Sequence, residues 1–220
     1  MSKAEIFGNI RRGLKRGEPT DAQRASVAAR LKPHHNNLIP KRAQLPHAQQ
    51  VALFVEMAEE AAAEIIEINN GSEIVGEVCR WLQHQNINTL TTATDPILSE
   101  LEWDQSTINV LSGVGHAGDA ASLTTAFAGI AETGTLMLYS RPESPTTLNF
   151  LPDNHIVLLK KSDIVGPYED AWGKLREAIP GNLPRTVNLI TGPSRSADIE
   201  QRLQMGAHGP KRLLILLLTN

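Results

Sequence analysis

Cysteine occurs once in the 220-residue chain, at Cys79. One thiol cannot close a disulfide or complete the ligand set of a cysteine-held zinc or iron–sulfur cluster, so no cofactor held by cysteines is expected on this chain alone. A reducing cytoplasm is the expected compartment. Long apolar runs are also missing: the longest, Leu213 to Leu218, is far too short to span a bilayer. The N-terminal MSKAEIFGNIRRGLKRG has basic residues but neither the apolar core nor the small-residue cleavage site of a secretory leader, and none is expected. Charge of one sign is scarce as well. With 21 basic and 24 acidic residues the formal charge is −3, which gives no general reason to expect nucleic acid or an anionic membrane as partner.

What is present is 41% hydrophobic residues over 220, enough for one core plus an appendage. Residues 3 to 16 set Ile6, Ile10 and Leu14 four apart beside Phe7, the pattern of a short amphipathic helix. Its basic end (Arg11, Arg12, Lys15, Arg16) suits either phosphate or a solvated last turn complementing the helix dipole. Residues 17 to 46 are polar and proline-punctuated, and read as a linker arm with one weak helix, Asp21 to Leu31. The adjacent His34 and His35 point differently on any element and make a poor metal pair. The domain proper is expected over residues 47–220. It should open with a helix from His47 to Ile68, followed by a second from Ser72 that buries Ile74, Val78, Cys79 and Leu82. INTLTT reads as a strand, TDPILSEL as a short capped helix, and TINVLS as another strand.

TINVLS runs into GVGHAG (113–118) and then DAASLTTAF, which reads as helix. Strand, glycine turn and helix are the context of a dinucleotide fingerprint, although a turn allowing close backbone approach explains the glycines equally. In AGIAETGTLMLYS, residues 132 to 134 form a tight polar turn between two apolar segments. Glu132 there could serve as nucleophile or general base, or could satisfy local backbone donors with Thr133. The loop RPESPTTLNFLP is long enough to lie over a site. It precedes a strand from His155 to Lys160 and a helix from Pro167 to Ala178. Val187 to Ile190 reads as a buried strand, TGPSRS as a turn, Ala197 to Leu203 as a helix, and GAHGP as the lead into a last buried strand. Backbone N–H groups, the hydroxyls of Thr191, Ser194 and Ser196, and Arg195 at a helix start make an anion site, or simply a helix cap with a solvated arginine. Alternating strands and helices imply an α/β fold whose sheet is mostly parallel and covered by helices, with an N-terminal helical arm.

Four ordered blocks, IAETGTL (130–136), LPDNHIVLLKKSDIV (151–165), ITGPSRSADIE (190–200) and GAHGPKRL (206–213), resemble the lactate utilisation protein C family, the small LUD-domain proteins. The resemblance implies a fold of the NagB/RpiA/CoA-transferase-like type, with ligands where strand ends meet glycine-rich loops. It implies a part in a bacterial three-protein system that oxidises L-lactate to pyruvate, beside two partner proteins carrying iron–sulfur clusters. It also points to a small anionic ligand, such as lactate, pyruvate or a phosphate-bearing molecule. Carried onto this chain, Glu132, His155 and His208 become candidate catalytic residues. Thr133, Gly134, Thr135, Gly192, Ser194, Arg195, Ser196 and Asp198 become candidate ligand-binding residues. His155 and His208 could instead be hydrogen-bonded strand-end histidines. His116 lies in a block without the resemblance, and a metal held by His116, His155 and His208 would require the fold to gather them. Two other functions stay open: a free-standing CoA-transferase-like or sugar-phosphate isomerase-like enzyme using Glu132, and a dinucleotide-binding oxidoreductase using GVGHAG. The sequence leaves a homodimer open too.

Overall fold

The computed structural model describes residues 2–30, 38–103, 107–181, 183–196 and 204–219. Its contacts divide the chain into two units, Met1–Leu38 and Ile39–Asn220. The first carries two short helices, α1 (Lys3–Gly13) and α2 (Asp21–Ala29). Each opens with a capping box, Ser2 with Glu5 and Thr20 with Gln23, which satisfies otherwise unpaired first-turn N–H groups. The expected extension of α2 to Leu31, with His34 and His35, lies outside the described residues.

The second unit opens with α3 (His47–Glu60), β1 (Glu64–Ile68), α4 (Ile74–His84), β2 (Thr89–Thr92) and the single turn α5 (Pro96–Ser99). β3 (Asn109–Ser112) and β4 (Ala121–Thr125) precede a hairpin of β5 (Ala128–Ile130) and β6 (Thr135–Tyr139). Then come β7 (Asn154–Lys160), β8 (Ile164–Val165), α6 (Tyr168–Ala178), β9 (Val187–Ile190), the short pair β10 (Arg195–Ser196) and β11 (Gln204–Met205), and β12 (Arg212–Leu218).

The main sheet has the order β1-β12-β7-β4-β2-β3 and every pairing in it is parallel. β12 and β7 are adjacent interior strands and are apolar on both faces, as buried parallel strands require. Ile156, Leu158, Leu214, Leu216 and Leu218 face Ile74, Val78 and Leu82 of α4. The alternate residues Val157, Leu159, Leu213, Ile215 and Leu217 face Phe54 and Ala58 of α3 and Leu136 and Leu138 of β6. Burial of each such side chain contributes about 1.5–3 kcal/mol, so these two strands anchor both cores. The α/β architecture expected from the sequence is present. A second sheet, β8-β5-β6-β9, lies on the α3 side and carries α6 on its outer face through Ala171 and Leu175.

Three expectations are corrected. The helix from His47 stops at Glu60, and residues 64–68 are strand β1, paired in parallel with β12. Ala62 adopts φ +67°, which breaks the helix without a glycine, and the β-branched EIIEI segment then completes the sheet edge. DAASLTTAF contains strand β4 rather than a helix; Ala121–Thr125 sits between β7 and β2, where tertiary pairing overrides alanine's helix preference. The dinucleotide context of GVGHAG is therefore lost, since the turn joins two strands. Finally, Val187–Ile190 is an antiparallel outer strand beside β6, with Leu189 43% exposed, not a buried one. No helix among the described residues is long and apolar enough to cross a membrane.

Candidate functional site

Two glycine turns meet at the end of α3. Gly134, between β5 and β6, has φ +62°, and a Cβ there would fall 2.3 Å from the Ala58 nitrogen. Gly192, after β9, has φ +67°, and its Cβ would fall 2.0 Å from the Ala61 carbonyl oxygen. Only glycine tolerates both the conformation and the contact. Hydroxyls join the turns: Thr135 Oγ1 lies 2.6 Å from Thr191 Oγ1, while Thr133 Oγ1 and Thr135 Oγ1 share the Tyr168 hydroxyl at 2.7 and 3.0 Å. The AETGT and TGPS blocks are thus neighbours.

Beyond Gly192 the chain bonds to the GAHGP loop. Ser194 N–H donates to Pro210 O (2.9 Å), and Ser194 Oγ accepts from His208 N–H (3.2 Å). These contacts close one wall of a cavity of about 210 Å³ whose polar lining includes Asn149, His155, Thr191, Ser194 and His208. Phe150, Leu189, Ile190 and Leu213 supply apolar surface. The cavity opens at the amino ends of β7 and β12, where His155 pairs with Leu213, rather than at the carboxyl ends usual for ligands of open α/β sheets.

His155 is fully buried. Its Nε2 lies 2.8 Å from Thr124 Oγ1, whereas Nδ1 has no partner among the described residues. Desolvation lowers its pKa from 6.5 to about 3, so the ring is neutral near pH 7. Asn149, 3% exposed, also leaves Oδ1 unpartnered. Leaving a buried polar atom unpaired costs about 1–3 kcal/mol, so both residues carry such a cost among the described residues.

The remaining expected site residues fall into two groups. Gly192, Ser194, His155 and His208 come together in the cavity. Glu132, Thr133, Gly134 and Thr135 stand outside its lining; Glu132 is half-buried, with its backbone N–H on Gly166 O at 3.0 Å. Arg195 is exposed on β10, pairing with Met205 across the ladder, and is also outside the lining. Ser196 pairs with Gln204, so the turn runs into the two-residue strand β10. Asp198 and the expected helix from Ala197 to Leu203 lie outside the described residues. His116 is exposed on the 113–118 turn beside Asp119. Among the described residues no group of three or more His, Cys, Asp or Glu could hold a metal ion. Sequence reasoning missed Asn149 and Thr124. Asn149 sits in the loop expected to cover a site, which was its one signal; Thr124 was hidden in the segment misread as helix.

Comparison with known proteins fits this arrangement. The LUD domain family model matches residues 118–218, which contain both glycine turns and the cavity-lining residues. A protein of Geobacillus kaustophilus called lactate utilization protein C is 30% identical over 196 residues, covering 84% of this chain and 78% of that protein. A relative of the same name from another Geobacillus strain is 30% identical over 200 residues, covering 81% of this chain and 76% of its own. The chain belongs to the LUD-domain family of lactate utilization protein C. A crystal structure of a DUF162 family protein from Deinococcus radiodurans shares the fold, with a TM-score of 0.58 and 20% identity over 79% of this chain and 99% of that one.

Proposed function

We propose that this protein acts in the utilisation of L-lactate, as a cytoplasmic subunit that binds a small organic anion while iron–sulfur partner proteins carry the electrons. The observation that carries the reading is the similarity to lactate utilization protein C over 84% of this chain. Redox balance supports the division of labour. Oxidising a 2-hydroxy acid to the 2-oxo acid releases two electrons and two protons, and a chain whose one cysteine is Cys79 has no thiol set to ligate a cluster that would accept them. On this reading the electrons pass to another protein. The 210 Å³ cavity suits a metabolite rather than a nucleotide, since drug-sized ligands occupy about 300–1,000 Å³.

Deleting the gene should abolish growth on L-lactate as carbon source while sparing growth on pyruvate, and the intact gene should restore it. The tagged protein from lactate-grown cells should co-purify with cluster-bearing proteins. Unimpaired growth of the deletion strain on L-lactate would remove this reading.

A further inference from the structure

We propose that the N-terminal arm is an exchange element: α1 of one copy docks through Ile6, Phe7, Ile10 and Leu14 onto the outer face of α3 of a second copy, and the reciprocal contact closes a two-fold dimer. The inference stands apart from the lactate reading, because it rests on a segment outside the cavity. α1 has 11 residues and α2 has 9, short of the ~12–15 below which an isolated helix is marginal in water, and neither contains a buried residue. Both nevertheless open with complete capping boxes. α1 and its C-cap also gather Ile6, Phe7, Ile10 and Leu14 on one side, where they are 45%, 47%, 49% and 60% exposed. A helix gains most of its stability by packing such a stripe away from water, so the stripe marks a contact surface.

Charge identifies the occupant. Residues 1–38 hold eight basic and three acidic residues, a net +5, whereas residues 39–220 hold 13 basic and 21 acidic, a net −8. A second copy of the chain therefore presents the arm with an oppositely charged body. An anionic membrane would also attract the arm but would repel the larger negative charge behind it.

Within that body α3 has a matching face. Leu53, Glu56, Met57 and Glu60 follow one another at helical spacing on one stripe, the carboxylates exposed and the two apolar side chains half-buried. Neither Glu56 nor Glu60 is ion-paired among the described residues, and neither is Lys15 or Arg16, which follow Leu14 at the end of the apolar stripe. Apolar contact along the two stripes and pairing of these cations with these carboxylates can therefore form together. Exchange about a two-fold axis makes the contact twice and leaves no open end to propagate. α3 is also the helix whose end supports Gly134 and Gly192, so the exchanged arm braces an element beside the cavity.

The test is light scattering on the purified full-length protein during size-exclusion chromatography. The wild type should run as a dimer, at about twice the 24.0 kDa of one chain. Ile10→Asp, which sets a charge in the middle of the apolar stripe, should give the monomer while leaving the thermal unfolding of the body unchanged. Lys15→Glu with Arg16→Glu should weaken the dimer about tenfold or more, and Glu56→Arg with Glu60→Arg should do the same. All four changes in one chain should restore the dimer, an outcome that misfolding cannot imitate. A monomeric wild type, a dimer indifferent to Ile10→Asp, or reversed charges that fail to compensate one another would each overturn the proposal. Capture of the wild type by phosphatidylglycerol vesicles in place of dimerisation would overturn it in favour of a membrane surface.

Discussion

His155 ties the chemistry of the cavity to the stability of the fold. Its pKa is 6.5 before folding and is lowered to about 3 by burial. At pH values between these two, the unfolded chain binds a proton that the native chain refuses. The native state is therefore undiminished by this group above 6.5 and loses stability as pH falls from 6.5 toward 3. Between neutral pH and about pH 5 the loss should be about 2 kcal/mol. Urea unfolding of wild type and His155→Gln at the two pH values checks it: the wild type should lose about that much more than the variant. An equal loss in both would mean that the ring is protonated in the native state.

At the scale of elements, the end of α3 organises the site. Gly134 and Gly192 both rest on its last turns, and Ala62 at φ +67° turns the chain into β1 beside them. Gly192→Ala should cost about 2–4 kcal/mol, because the new methyl would stand 2.0 Å from the Ala61 oxygen. Gly173→Ala, mid-helix in α6 with open space around it, should instead stabilise by about 0.5–1 kcal/mol. Chemical denaturation of both variants separates close contact from mere glycine content. A mild Gly192→Ala would mean that the turn does not rest on α3. Much of this element layer was legible in the sequence. The apolar runs at 155–160 and 213–218 and the polar turn at 132–134 could be read from pattern. What was not legible depended on tertiary partners. Nothing local marks Ala62 as a helix stop, and nothing in DAASLTTAF tells a central strand from a helix until β7 and β2 flank it. Among site residues, His155 and Ser194 could be singled out from their blocks. Asn149 reaches the cavity lining only because the 146–149 turn is seated by Gly115 and Ser122, a long-range contact that no local pattern announces, and the hairpin places Glu132 outside that lining.

For the molecule as a whole, the cavity lies where the second sheet meets the amino ends of β7 and β12 in the first. β9 contributes Leu189 and Ile190, β7 contributes His155, and β12 contributes Leu213. Such a position would give a ligand a wall from each sheet, while the carboxyl ends of β7 and β12 play no part in the lining. The central claim is that this seam is where a protein of L-lactate utilisation holds its small organic anion. Titration of the ¹⁵N-labelled full-length protein with L-lactate, read from backbone amide spectra, tests it most directly. The predicted result is saturable shifts centred on Thr191, Ser194 and His208, which line the cavity. Shifts centred elsewhere, or none up to about 10 mM, would contradict the account.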